Sequence, residues 1–243
     1  MFRKRKLDVL ALSETKLKGK GEVEFGGVGG RGSGVAGGWA REGVAILVSE
    51  EVSGCVTEWR EVSSRLMWVG LKFGQERWVI VSAYGPGKEK HPNEVDQFWE
   101  ELRDCVNSFD DNINVMVLGD LNARVGNTVI AGVVGRYGVP EVNHSGENLI
   151  DICLEQELVI GNTLFKKKKK NKYTWARVDK GKVVDRALMD YVIVSRKIVR
   201  RLRDVHVYRG EAGGISDHYL VQGKIVVAGG RGRGNKGGGK GRF

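Results

Sequence analysis

The chain has 243 residues, 41% of them hydrophobic, with 40 Lys and Arg against 30 Asp and Glu for a net charge of +10. That apolar content is ordinary for a globular protein. No apolar run approaches the roughly 18–20 residues needed to span a bilayer, and "MFRKRKLDVLALSETK" lacks the small-residue cleavage site of a secretory signal, which excludes membrane-spanning and secreted classes.

The expectation is a soluble intracellular protein, nuclear or cytoplasmic, with no membrane partner. The three cysteines, Cys55, Cys105 and Cys153, are widely spaced and odd in number. They point to a reducing compartment without a disulfide framework. The positive excess is concentrated in two places, "KKKKK" at 166–170 and the tail "GGRGRGNKGGGKGRF" at 229–243. A basic loop and a basic tail on a nearly neutral body suggest a polyanionic partner.

In chain order, the first predicted strand is "DVLALSE" (8–14). Residues 19–38 contain ten glycines in twenty and read as a mobile surface loop, because glycine supplies little apolar surface to offset the entropy of ordering. "GVAILVS" (43–49), "LMWVGLKF" (66–73) and "WVIVSAY" (78–84) follow as strands. "NEVDQFWEELRDCVNSF" (93–109) predicts an amphipathic helix, with Val95, Phe98, Leu102, Val106 and Phe109 on one face and Asn93 as its cap. Then come the strand "NVMVLGD" (114–120), a shorter helix "ENLIDICLEQ" (147–156), and the strands "YTWARV" (173–178), "MDYVIVS" (189–195) and "YLVQGKIVV" (219–227). Near-continuous apolar strands are covered on both faces or tightly on one. With few interposed helices they predict an α/β or α+β sandwich. The expected organisation is one domain over 1–227 and a disordered Gly/Arg-rich tail over 228–243.

Polar groups gather at the strand ends. Glu14 ends the first strand, Tyr84 precedes "GPG", Asp120 and Asn122 lie in "GDLNARVG", Asp190 begins "MDYVIVS", and Asp217 and His218 precede the last strand. Taken singly, each reads as a cap, a turn former or a packed side chain. Taken together, they make a cup of carboxylates that suits a hard cation, with a His–Asp pair beside it. Those are the parts of phosphate-ester hydrolysis.

"SETK", "AYGP", "GDLNARVG", "YTW", "MDYVIVS" and "SDHYLV", in that order, resemble the endonuclease/exonuclease/phosphatase superfamily. Within it the resemblance runs to the endonuclease domain of RTE-type non-LTR retrotransposons and craniofacial development protein 2-like proteins. It implies a four-layer sandwich of two packed mixed β-sheets flanked by helices, and Mg²⁺-dependent (or Mn²⁺-dependent) hydrolysis of DNA leaving a 3′-hydroxyl and a 5′-phosphate. By resemblance, Glu14 is a metal ligand and Asp217 a second carboxylate near the metal. Asp120 orients or deprotonates the attacking water, Asn122 and Tyr84 contact phosphate, and His218 is the active-site histidine paired with Asp190. The family opens with a strand bearing an asparagine, followed by a helix, and neither has a counterpart ahead of "FRKRK". The expectation is therefore an N-terminally truncated domain whose activity is in question.

Three functions compete. The first is a DNA endonuclease of the apurinic/apyrimidinic type, in which Lys166, Lys167, Lys168, Lys169 and Lys170 hold the backbone while Tyr173 and Trp175 stack on a base. The second is a phosphatase with the same site. The third is a non-catalytic nucleic-acid-binding remnant of a retrotransposon endonuclease, with the Gly/Arg tail reaching RNA. Oligomeric state has no signature in the sequence.

Overall fold

The computed structural model describes residues 5–25, 28–34, 42–209, 216–228 and 239–242. Four strands come first: β1 (Val9–Ser13), β2 (Lys20–Phe25), β3 (Val28–Ser33) and β4 (Val44–Val48). A single helical turn, α1 (Glu50–Ser53), leads into β5 (Val56–Ser63), β6 (Leu66–Phe73) and β7 (Glu76–Ala83). Then follow α2 (Pro92–Asn107), β8 (Asn114–Asp120), α3 (His144–Glu155) and β9 (Leu158–Ile160). The chain continues through β10 (Trp175–Asp179), β11 (Lys182–Ala187), β12 (Asp190–Ser195), β13 (Leu202–Tyr208), β14 (Leu220–Val227) and β15 (Gly239–Arg242).

The longest apolar runs pair with one another at the centre. A six-stranded sheet of order β5-β6-β7-β8-β12-β9 is antiparallel except for the parallel pair β7–β8, and so is mixed. Its inner strands read as unbroken apolar stretches because both faces are covered. On one face, α2 and α3 bury Phe98, Trp99, Leu102, Leu149 and Ile152 against Val79, Val81, Val115, Val117 and Ile193. The other face packs Met67, Ile80, Met116 and Val194 on the antiparallel sheet β1-β4-β3-β2 and on the three-stranded sheet β13-β14-β15. Each large apolar side chain buried this way contributes about 1.5–3 kcal/mol. The α/β sandwich of packed sheets is thus present, and the α2–α3 cover lies on one side of it. The two-stranded β10–β11 hairpin stands apart from the other sheets, with Val178, Val183 and Val184 exposed.

The expected strands at 8–14, 43–49, 66–73, 78–84, 114–120, 173–178, 189–195 and 219–227 all exist, with ends shifted by at most two residues. The glycine-rich stretch differs from expectation. Residues 20–25 and 28–33 are paired strands, with Gly30 opposite Leu47 in β4. Glycine serves here because a Cβ at Gly30 would overlap the Ile46 carbonyl, and one at Gly32 the Leu17 side chain. The tail also differs in part. Gly239–Arg242 pairs with Lys224–Val227 of β14, since a ladder needs only backbone groups; residues 229–238 and 243 lie outside the described residues, as do 26–27 and 35–41.

Both long helices begin earlier than expected. For α2 the cap is His91, whose Nδ1 accepts from the Asn93 amide at 3.3 Å with Pro92 following, so Asn93 is not the cap. For α3 it is Asn143, whose side chain accepts from the Gly146 amide at 2.8 Å. β5, β9, β11 and β13 escaped the sequence reading because they are short or alternate apolar with charged residues.

Candidate active site

Sheet topology carries five chain segments to one rim. β7 and β8 run parallel, so Tyr84 and Asp120 emerge together, and β12 is antiparallel to β8, so its first residue, Asp190, lies directly opposite Asp120. β1 ends at the same rim from the facing sheet, and His218 lies two residues ahead of β14, bridged to Trp175.

The turn after β8 is built by its backbone. Gly119 adopts φ 141°, and a Cβ there would overlap the Ala83 carbonyl of β7. Asp120 is 4% exposed, and its Oδ1 accepts the Asn122 amide at 2.9 Å. Asn122 sits in the left-handed region at φ 48°, where asparagine is among the better-tolerated residues. Its Nδ2 donates to the Gly85 carbonyl at 2.9 Å, and its own carbonyl accepts from Asn143 Nδ2 at 2.9 Å. Asn143 Oδ1 also accepts the Arg124 amide at 2.7 Å, so one side chain caps α3 and clamps the site loop.

Asp120 and Asp190 face each other across neighbouring strands, an arrangement that like charges disfavour. His218 lies between them. Its Nδ1 is 3.1 Å from both Asp190 oxygens and its Nε2 is 3.7 Å from Asp120 Oδ2. Burial pushes the Asp120 carboxyl up first and the Asp190 charge adds to that, while His218 and the Asn122 amide offset only part of it, leaving the group at about 8. For His218, burial opposes the charged form. The bond to Asp190 and the fields of Asp190, Asp120 and Asp217 outweigh it, raising the imidazole to about 9. The pair is therefore an imidazolium held between a paired and an under-compensated carboxylate.

Glu14, exposed and at φ 52°, accepts the Tyr84 hydroxyl at 2.7 Å. Tyr84 is held above its usual range by burial first, then by Glu14 and Asp120. The buried Arg65 lies 4.9 Å over its ring, donates to its carbonyl at 3.2 Å and pairs with Glu42. Asp217 Oδ2 accepts from Trp175 Nε1 at 2.6 Å.

Asp120, Asp190 and His218 offer ligand atoms within 4.8 Å of one another. A dication fits this rim on its donor chemistry. The carboxylate oxygens without a hydrogen-bond partner among the described residues, Asp120 Oδ2, Glu14 Oε2 and Asp217 Oδ1, are hard ligands, and His218 offsets only part of what burial and Asp190 do to Asp120.

Sequence reasoning passed over the groups behind the site. Thr174, fully buried, accepts the Met189 and Asp190 amides at 3.1 Å each, and its carbonyl accepts the Tyr219 amide at 2.7 Å. Asn162 holds the outer edge of β12 through the Asp190 carbonyl and the Val192 amide. Thr174 stood inside the "YTW" motif and Asn143 stood where a cap belongs, but neither pattern tells what the second hydrogen bond holds.

The two aromatic residues expected to stack on a base differ in exposure, Trp175 being half-buried and Tyr173 buried. Tyr173 is 6% exposed and covered by Arg186, 4.3 Å from its ring centroid, and the Trp175 indole is tethered to Asp217. Of the lysine run, Lys166, Lys168, Lys169 and Lys170 are exposed, Lys167 pairs with Asp204, and the neighbouring Lys172 donates to the Gly138 carbonyl.

Comparison with known proteins adds the following. The model of a family described as the Endonuclease/Exonuclease/phosphatase family matches residues 1–218. Craniofacial development protein 2 of Bos taurus is 30% identical over 224 residues, which is 90% of this chain and 36% of that protein; the Tragulus javanicus protein is 29% identical, with 90% and 37% covered. The chain thus spans little more than a third of the length of these relatives. Among solved structures, the endonuclease domain of TRAS1, a telomere-specific non-LTR retrotransposon, superposes with a TM-score of 0.62 at 14% identity, covering 90% of this chain and 86% of that one. An AP endonuclease from Leishmania major, LMAP, gives 0.62 at 13% identity, covering 90% and 78%. These likenesses show the fold.

Proposed function

We propose, from the fact that the chain belongs to the endonuclease/exonuclease/phosphatase family, that it is a divalent-metal-dependent phosphodiester hydrolase acting on DNA in the manner of apurinic/apyrimidinic endonucleases. One observation carries the reading: a raised-pKa Asp120 and an Asp190-anchored His218 face each other at 3.7 Å on the rim where five segments meet.

In this reading the scissile phosphate enters beside His218. The imidazolium, held in one orientation by Asp190, neutralises the charge that builds on the phosphoryl oxygens. Asp120, once ionised, accepts the proton of the attacking water, a role that suits a carboxyl poised near neutrality. Asn122 contributes its loop position, and the Tyr84 hydroxyl, which donates to Glu14 in the free protein, turns its proton to a phosphate oxygen when substrate is bound. Glu14 and Asp217 would hold Mg²⁺ or Mn²⁺, which supplies Lewis-acid stabilisation of the phosphoryl oxygens and leaving group.

The test is cleavage of plasmid DNA and of a duplex carrying one abasic site, with Mg²⁺, Mn²⁺ or EDTA. The expected result is metal-dependent nicking that yields 3′-hydroxyl ends and falls at least 10²-fold in Asp120→Asn and His218→Ala. Folded wild-type protein that nicks neither substrate in either metal would remove the proposal, and hydrolysis of small phosphate esters alone would turn it towards a phosphatase.

A further inference from the structure

The site's flank holds a cleft that the hydrolytic reading leaves unused. It encloses about 170 Å³ between Tyr173 and Tyr219 and is lined by Lys170, Arg186 and Arg209, with no acidic residue among the described residues of its lining. Each arginine is poised over a ring: Arg186 lies 4.3 Å from the Tyr173 centroid and Arg209 5.3 Å from that of Tyr219. Among the described residues neither arginine makes an ion pair. Guanidinium groups stacked on aromatic rings keep their N–H forks free and lose little freedom on binding, so they are set for an anion.

The cleft is also tied to the reaction centre. Tyr219 follows His218 directly, its amide is bonded to Thr174, and the Thr174 hydroxyl holds the Asp190 amide. Tyr219 and Thr174 thus join a wall of the cleft to the backbone that carries His218 and Asp190. Tyr173 also lines a second hollow, of about 330 Å³, together with Lys167, Lys169 and Lys172.

We propose that the Lys170–Arg186–Arg209 cleft seats a backbone phosphate of the DNA outside the scissile position, with the DNA lying from the reaction centre past this cleft towards the lysine run. The proposal rests on the nucleic-acid reading above and goes beyond it in fixing the DNA's path. Lys170 gives the cleft a point charge, and the two arginines give it the paired donors that match phosphate oxygens. Tyr173 and Tyr219 hold the arginines and leave base recognition to other surfaces.

The experiment is binding without cleavage. A short fluorescein-labelled DNA duplex is titrated in EDTA at several salt concentrations, with wild type, Arg186→Ala, Arg209→Ala and Lys72→Ala, melting curves confirming that each is folded. Lys72 is exposed at the opposite end of β6 and matches the arginine variants in the charge removed. Affinity is expected to fall about tenfold in each arginine variant, as for loss of a charge-assisted hydrogen bond. The slope of log K against log salt is expected to shrink by about 0.9 for one phosphate no longer neutralised, with Lys72→Ala unchanged. Arg186→Lys and Arg209→Lys should recover part of the loss. Wild-type affinity and slope in both alanine variants, equal losses in all three, or no binding by wild type would each overturn the proposal. Loss of affinity in a protein that never cleaves DNA would leave the cleft and remove the hydrolase reading; cleavage with unaffected binding would do the reverse.

Discussion

His218 and Asp120 are tuned by each other and by Asp190; the first shift stabilises the fold and the second costs it stability, but both make stability fall as pH rises. His218 in the folded chain titrates near 9 against a reference of 6.5, so its contribution is fully present below pH 6.5 and is lost as pH rises through about 9. Asp120 titrates near 8 against 3.8; the folded state keeps a proton the unfolded chain has released, and stability again falls as pH rises through that window. In EDTA the melting temperature should therefore decline between pH 6.5 and 9. Asp120→Asn should flatten part of that decline and melt higher than wild type at pH 9 while losing hydrolysis. A variant that melts lower there would contradict the buried-charge account. Asp190→Asn should drop the His218 pKa towards its reference, visible in proton NMR as an imidazole titration midpoint moved to lower pH, and weaken catalysis on the alkaline side. An unchanged midpoint would show that Asp190 does not set it.

At the scale of elements, function depends on how strands end and what holds those ends. Asn143 caps α3 and also fixes the Asn122–Arg124 backbone. Asn143→Ala should cost about 1–2 kcal/mol of stability, as removal of other caps does, measured by urea unfolding. Activity should fall further than that, because the loop carrying Asn122 is released; a stability loss with full activity would confine Asn143 to capping. The β2–β3 hairpin gives a second case. Gly30→Ala places a Cβ on the Ile46 carbonyl, and overpacking against backbone should destabilise by about 1–3 kcal/mol. Unfolding no easier than wild type would mean that this hairpin is not seated on β4.

Across the whole molecule, two sheets meet at a rim where carboxylates are brought close at electrostatic expense, and a dication held there, as proposed, would relieve it. Ligand present at about 100 times its Kd adds about 2.7 kcal/mol of stability. Because the ligating form is the ionised carboxylate, Mg²⁺ should raise the melting temperature more at pH 8–9 than at pH 6. Calorimetry with and without Mg²⁺ checks this, and a pH-independent or absent shift would count against a metal at this rim. No helix among the described residues is long and apolar enough to cross a membrane.

The sequence by itself determined the strands that lie buried between layers, since runs such as "NVMVLGD" have no other stable use, and it marked the polar residues that end them. It could not announce the edge strands. A glycine-rich hairpin and a Gly-Lys-Gly-Arg strand carry no apolar period, and only a neighbouring ladder makes them strands. It also named Tyr173 as a surface for bases when tertiary packing buries it under Arg186. The supporting bonds of Thr174, Asn143 and Asn162 that reach across the chain join residues from 15 positions apart, Thr174 to Met189, to 45, Thr174 to Tyr219. Such pairings are set by which strand ends come to share a rim, a property of topology that local composition does not encode.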